Sequence, residues 1–324
     1  MKSLIDSNAH TRKAVGKDGY SNNPIINYQL QMNEIIPLIA TTYVYNILLN
    51  YIQDRYENQS ENDTKEVVRL CCIIKPLITW HSENTASKCR ERCGGQGFLA
   101  ANRFGEAING SHAGITAEGD NRVILQKVSK ELLEEVSKTV LIKEKMLKVL
   151  KPNIFAKKVI TNKDILKLFE IKEKYLKYDL AYKIGVTKDI YSKWMYEESD
   201  DIQSLATSYG ERLAVQTMIN KINEIDDNNL KKILNDLLKI YSYTKIKEDI
   251  GFYFENNLIN KKKYKFIKND LNKLNKKISK KSLDLVDNFN IPIWMRHSPI
   301  SNNWKTYNEY ENNGELDNQQ YRNN

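Results

Sequence analysis

The chain has 324 residues, enough at about 150 per domain for two domains and a sizeable core. Its 13 Gly and 6 Pro are together about half the ~12% usual in soluble proteins, which disfavours a loop-rich β-sandwich or a glycine-rich nucleotide fold and leaves a mostly helical, all-α protein. Fifty basic against 41 acidic residues give a net charge of +9, the kind of excess that conventionally points to nucleic acid, a membrane surface or a phosphorylated substrate. The abundance of Asn, Lys, Ile and Tyr, all with AT-rich codons, gives part of that charge a simpler origin, and no nucleic acid partner is expected. No stretch approaches the ~18 uninterrupted apolar residues of a spanning helix, so no membrane span is expected. With no secretory leader, and with Tyr-Arg-Asn-Asn rather than Ser-Lys-Leu at the end, the default expectation is a soluble, cytoplasmic protein.

Residues 35 to 49 place Ile35, Ile36, Ile39, Ala40, Tyr43, Val44, Ile47 and Leu48 at steps of three and four, the mark of a buried helix face. Pro37 should kink that helix or sit in its first turn. Glu57 to Thr64 is polar and reads as a loop, and a second helix follows through Val67, Leu70 and Ile74 to Cys89 and Cys93. Gly94-Gly95 should stop it, because glycine supplies the left-handed conformation in which helices commonly end. Gln96 to Thr116 holds Gly97, Gly105, Gly110 and Gly114 and reads as irregular. A third helix should begin near Asp120 and bury Ile124, Leu125, Val128, Leu132 and Val136.

After Lys151-Pro152 the texture shifts to Lys/Asn/Leu/Ile helices, which sets a domain boundary near 145 to 155: a first helical bundle over 1–148 and a second over 149–324. Ile202, Leu205, Ala206, Tyr209 and Leu213, then Ile233, Leu234, Leu237 and Leu238, keep the helical period. Between Lys261 and Lys281 there are ten lysines and one acid, with Ile267, Leu271, Leu274 and Ile278 on one face, as in a helix with a solvated lysine side. Ile291-Pro292 and Ser298-Pro299 end the pattern in coil, and the Asn-rich tail after Asn308 should fray.

Cys71, Cys72, Cys89 and Cys93 crowd into 23 residues, but they lack paired CxxC spacing and read as core thiols rather than as a disulfide frame or metal site. His10, His81, His112 and His297 are scattered and form neither HExxH nor a serine-elbow arrangement, so hydrolase chemistry finds no support. The sharpest segment is Cys89-Arg-Glu-Arg-Cys-Gly-Gly-Gln-Gly-Phe98, followed by Ala117-Glu118-Gly119-Asp120-Asn121 ahead of a helix. Glycines past a helix end expose backbone amides that can approach an anion such as a pyrophosphate, or simply cap the helix. Glu118, among Ile115, Ala117 and Gly119, is either a base with a raised pKa or a first-turn glutamate that complements a helix dipole.

The first segment is similar to the Cys-Arg-Glu-x-Cys-Gly-Gly-x-Gly-Tyr/Phe signature of acyl-CoA oxidases, and the second resembles that family's Phe-Glu-Gly-Glu/Asp-Asn at matching spacing. Pro24-Ile-Ile-Asn-Tyr-Gln-Leu-Gln31, Pro37-Leu-Ile-Ala40, Ile291-Pro292 and Ser298-Pro299-Ile300 resemble further family stretches. The resemblance implies two consecutive helical bundles from the C-terminal half of such an enzyme. It also implies FAD as cofactor, fatty acyl-CoA and molecular oxygen as partners in fatty acid β-oxidation, and a homodimer or a complex with an N-terminal half. By the same resemblance Glu118 is the catalytic base that takes the α-proton of the thioester, and Arg12, Gly94, Gly95, Gly97, Asp120 and Asn121 contact FAD; no metal is implied. The stretch Arg12-Lys-Ala-Val-Gly16 departs from the family's Arg-Lys-x-Phe-Gly by lacking the aromatic. The alternatives are a dehydrogenase that hands electrons to a protein partner and a truncated helical interaction protein without catalysis. A eukaryotic source would imply the peroxisome.

Overall fold

A computed structural model describes residues 1–6, 9, 12–136, 160–292 and 299–300. The elements in order are α1 (Lys2–Asp6), a two-residue antiparallel ribbon of β1 (Lys13–Ala14) and β2 (Asn23–Pro24), then α2 (Gln29–Glu57), α3 (Thr64–Arg92), α4 (Phe104–Thr116) and α5 (Asn121–Glu134). Beyond residue 159 follow α6 (Asn162–Gly185), α7 (Ser199–Glu224), α8 (Asn228–Glu248), α9 (Ile250–Glu255), α10 (Lys261–Ser279) and α11 (Ser282–Asp287). The all-α class is thus observed, with β1 and β2 as the sole strands among the described residues.

The helices form where the apolar period predicts them, and the caps are chemical. Ser60 and Asp63 make a reciprocal capping box ahead of α3, and Thr161 with Asp164 does the same for α6. Pro37 lies inside α2, well past its first turn. Gln96 to Thr116 is not irregular throughout: after two short 3-10 turns, residues from Phe104 onward form α4. Gly114 of that helix sits where a Cβ would lie 3.2 Å from the Thr79 methyl, so this glycine permits close approach and does not break the helix. Cys89 and Cys93 are buried as expected, and burial pushes the Cys93 thiol up to about 12, but Cys71 is exposed on the outer face of α3.

α2 is the most apolar of the long helices. An 18-residue window of it has mean hydropathy 1.4, long and apolar enough to cross a membrane, because uncharged Thr, Asn and Tyr interrupt its apolar residues without adding charge. Yet 56% of that window is buried inside the protein, as in a core helix.

The chain packs into two compact units, one of residues 1–39, 82–112 and 275–324, the other of 40–81 and 113–274. The boundary near 145 to 155 read from texture lies outside the described residues, as does the tail after Asn308. Each compact unit draws on both sides of that boundary, because 275–324 belongs with 1–39 and 113–274 with 40–81; α2, α3, α4 and α10 each run from one unit into the other. In the first unit, α1 and α11 are tied by Lys2 and Asp287 at 2.7 Å, and Asn275 donates to Asn33 at 2.9 Å. In the second, α7 is the hub. Its Ile202, Leu205, Ala206, Ala214 and Met218 are fully buried, and Ser129 of α5 donates to the Ile202 carbonyl at 2.6 Å. Lys172 of α6, 6% exposed, bridges Glu211 of α7 at 3.3 Å and Asp249 at 2.8 Å, so a buried charge is paired twice. His81 is hydrogen-bonded to Thr42 at 2.8 Å and stands edge-on to the Tyr45 ring; burial pulls its pKa down to about 4.

Candidate functional site

The glycine turn belongs to the first unit. α3 ends at Arg92, and Gly94 takes the left-handed conformation, φ +61°, that stops it. The orphan carbonyl of Arg92 accepts from Arg12 Nη1 at 2.6 Å and from Gln31 Nε2 at 3.3 Å. Arg12 therefore reaches the helix end directly, and a Cβ on Gly94 would lie 3.2 Å from its Nη2. The three glycines differ. Gly95 faces open space, with nothing within 4 Å of where a Cβ would be, whereas a Cβ on Gly97 would lie 2.1 Å from the Arg90 carbonyl oxygen. Gly97 lets the turn fold back on α3; Gly95 leaves its backbone open, and Gly94 lies against the Arg12 guanidinium. Asn102 fixes the far side of the turn by donating to the Gln96 carbonyl at 2.8 Å.

The carboxylate turn belongs to the second unit and joins α4 to α5. Glu118 has φ +58°, a left-handed conformation that costs a non-glycine residue about 1–2 kcal/mol, and Gly119 follows at φ +106°. Asp120 is the N-cap of α5, its Oδ1 accepting from the amides of Arg122 at 2.9 Å and Val123 at 3.4 Å. Lys75 of α3 clamps the turn: its Nζ donates to the carbonyls of Ile115 at 3.0 Å and Gly119 at 2.6 Å and to Asn121 Oδ1 at 2.8 Å. Asn121 is fully buried, and its Nδ2 donates to Thr79 Oγ1 at 2.9 Å. Its side chain is thus turned into the protein. Glu118 is exposed, which corrects the expected apolar setting, and its strained backbone is held by the clamp on either side of it.

Lys75 and Thr79 are the residues that sequence reasoning missed. The signal was present: Lys75 is the single charged residue in the apolar run Leu70 to Trp80. Of the histidines, His81 is the half-buried one described above and His112 is exposed; His10 and His297 lie outside the described residues.

Comparison with known proteins covers two consecutive stretches of the chain. Residues 8–133 match the model of the acyl-CoA oxidase C-alpha1 domain, and residues 161–312 match the acyl-CoA oxidase model. The fold is that of the helical part of solved acyl-CoA oxidases. Acyl-CoA oxidase 3 of Yarrowia lipolytica superposes with a TM-score of 0.82 at 19% identity, covering 99% of this chain and 52% of that one. Acyl-CoA oxidase-1 of Caenorhabditis elegans, solved with FAD and ATP, gives 0.81 at 18% identity, covering 98% and 51%. In sequence, the peroxisomal acyl-coenzyme A oxidase 2 of Arabidopsis thaliana is 26% identical over 310 residues, 88% of this chain and 45% of the relative. The human peroxisomal acyl-coenzyme A oxidase 3 is 31% identical over 136 residues, 38% of this chain and 19% of the relative. The chain belongs to the acyl-CoA oxidase family and corresponds to its C-terminal half. It spans about half the length of the relatives that it matches.

Proposed function

We propose that this chain supplies a catalytic base and, separately, an FAD-contacting turn to acyl-CoA oxidase active sites that are completed by elements outside it. The observation that carries the reading is Glu118: an exposed carboxylate in a strained left-handed conformation, bracketed by Lys75, Asp120 and Asn121. Strain of this kind persists only where the surroundings over-determine it, and it concentrates at functional residues.

The glycine turn fits an anionic cofactor. Gly95 presents backbone with open space before it, Gly94 is left-handed, and Arg12 adds a positive charge at the same place, which suits a phosphate of FAD. Gly97 and the pair Asp120 and Asn121 then act by shaping the two turns rather than by touching the flavin. In the reaction, the Glu118 carboxylate takes the α-proton of a fatty acyl-CoA thioester. FAD, held at the glycine turn, would supply the acceptor for the hydride from the β-carbon and the route for both electrons to O2, which would give H2O2. The product is a trans-2-enoyl-CoA. Lys75 holds the Glu118 backbone so that its carboxylate keeps one direction during proton transfer, which matters because general-base catalysis fails when the base is out of hydrogen-bond reach. The partner is an N-terminal half or a second subunit, and the relatives' peroxisomal names point to that compartment for this chain.

The test is reconstitution with the N-terminal half of an acyl-CoA oxidase. Acyl-CoA-dependent H2O2 production from the pair supports the reading, and a folded, FAD-loaded pair without turnover contradicts it.

A further inference from the structure

The segment Lys261 to Lys281 contains ten of the chain's fifty basic residues and one of its 41 acidic ones. The rest of the chain therefore has forty of each, so the entire net charge of +9 resides in these 21 residues. A genome-wide bias toward lysine would raise the charge everywhere; here the remainder is balanced to zero.

Structure makes the concentration sharper. Nine of the ten lysines are exposed, Lys263 being the buried one. Ile267, Leu271, Leu274 and Ile278 are 0, 6, 8 and 1% exposed and turn the opposite side of α10 into the core. At 100° per residue, the exposed lysines of α10 share about half of the helix circumference, along a face about 30 Å long. The one acid, Asp270, is half-buried beside Tyr243 and does not dilute that face. Phe266, 37% exposed, stands among the lysines with Lys263 Nζ 5.2 Å from its ring centre.

We propose that the lysine face of α10 docks the protein onto an anionic lipid bilayer. Three features favour a bilayer over nucleic acid. The segment has no arginine, the side chain that grips phosphates and bases bidentately, whereas lysine is a hydrated point charge suited to diffuse attraction. It carries two part-exposed aromatics, Tyr264 and Phe266, too few for a base-stacking platform but of the type that settles among lipid headgroups. The face is the convex side of a single helix whose apolar side is already buried, so it meets a flat surface by adsorption, without insertion. Juxtaposed lysines contribute additively to such binding within a Debye length of the lipid surface.

The experiment is co-sedimentation of the full chain with phosphatidylcholine vesicles, with and without phosphatidylserine, in low and high salt. Binding is expected to the phosphatidylserine vesicles alone and to be lost in high salt. At about fivefold per lysine, the quadruple variant Lys262→Gln, Lys265→Gln, Lys273→Gln, Lys276→Gln should bind on the order of several hundredfold more weakly. A control of equal charge, Lys17→Gln, Lys130→Gln, Lys174→Gln, Lys188→Gln, should lose at most severalfold, with circular dichroism showing both variants folded. No binding by the wild-type chain overturns the proposal. So does equal loss in the two variants, or tighter binding to single-stranded RNA than to phosphatidylserine vesicles at equal anion concentration.

Discussion

The three glycines of Gly94-Gly95-Gln96-Gly97 look equivalent in sequence but should respond to alanine very differently. At Gly97 the new Cβ would lie 2.1 Å from the Arg90 carbonyl oxygen, 3.0 Å from its carbon and 3.2 Å from its Cα, all backbone atoms that cannot swing away. The turn would have to lift from the last turn of α3, where the same Arg90 oxygen accepts from the Cys93 amide at 3.2 Å. A forced overlap of this size at a packed site should cost about 3 kcal/mol. At Gly94 the contact is with the movable end of Arg12, and the cost is the left-handed backbone, about 1 kcal/mol. At Gly95 nothing lies within 4 Å, so alanine should be neutral or stabilise by about 0.5 kcal/mol through the unfolded chain. Urea unfolding of the three single variants of this chain, followed by circular dichroism, measures the order directly. A Gly95→Ala as damaging as Gly97→Ala, or a neutral Gly97→Ala, would refute the division of labour argued above. Under that division Gly95→Ala, though stable, should weaken FAD binding in the reconstituted enzyme.

Further outcomes follow from the clamp and from His81. Lys75→Met removes three hydrogen bonds and leaves Asn121 Oδ1 buried with poor compensation, so it should destabilise by about 3 kcal/mol in urea melts. In the reconstituted enzyme the same variant should lower kcat more than it raises KM, because the base loses direction while the substrate site is untouched. His81 has a folded pKa of about 4, below the ordinary 6.5, so the unfolded chain binds the extra proton between those values. Stability should therefore fall as pH drops from about 6.5 to about 4, by about 3 kcal/mol from this group, and His81→Gln should flatten that part of the profile in unfolding measured at successive pH values. An unchanged slope in His81→Gln would show that other groups govern it.

Much of the fold was legible because helix signals are local. Ile35 to Leu48 and Ile202 to Leu213 show their buried faces in the spacing alone, and Asp120 announced the start of α5 by its capping chemistry. What was not legible depends on contacts distant in sequence. The glycines of α4 were read as breakers because single-residue propensity cannot reveal that Gly114 meets Thr79 across two helices. The compact units are hidden for the same reason, since α2, α3, α4 and α10 each serve both and no composition shift marks the change. At the candidate site, the motif singles out Glu118, while its exposure and the Lys75 clamp depend on contacts distant in sequence. The motif position places Asn121 next to the base, and the contacts of its side chain with Lys75 and Thr79 are not visible in that motif.

The most direct test of the account is the anaerobic bleaching of flavin absorbance by a fatty acyl-CoA in the chain reconstituted with an acyl-CoA oxidase N-terminal half, wild type against Glu118→Gln. Glutamine keeps the shape of the side chain and removes the base, so the variant should retain its flavin band while bleaching slows by about 10²–10⁴-fold. Bleaching of the variant at the wild-type rate would show that another group takes the proton, and would contradict the assignment of Glu118.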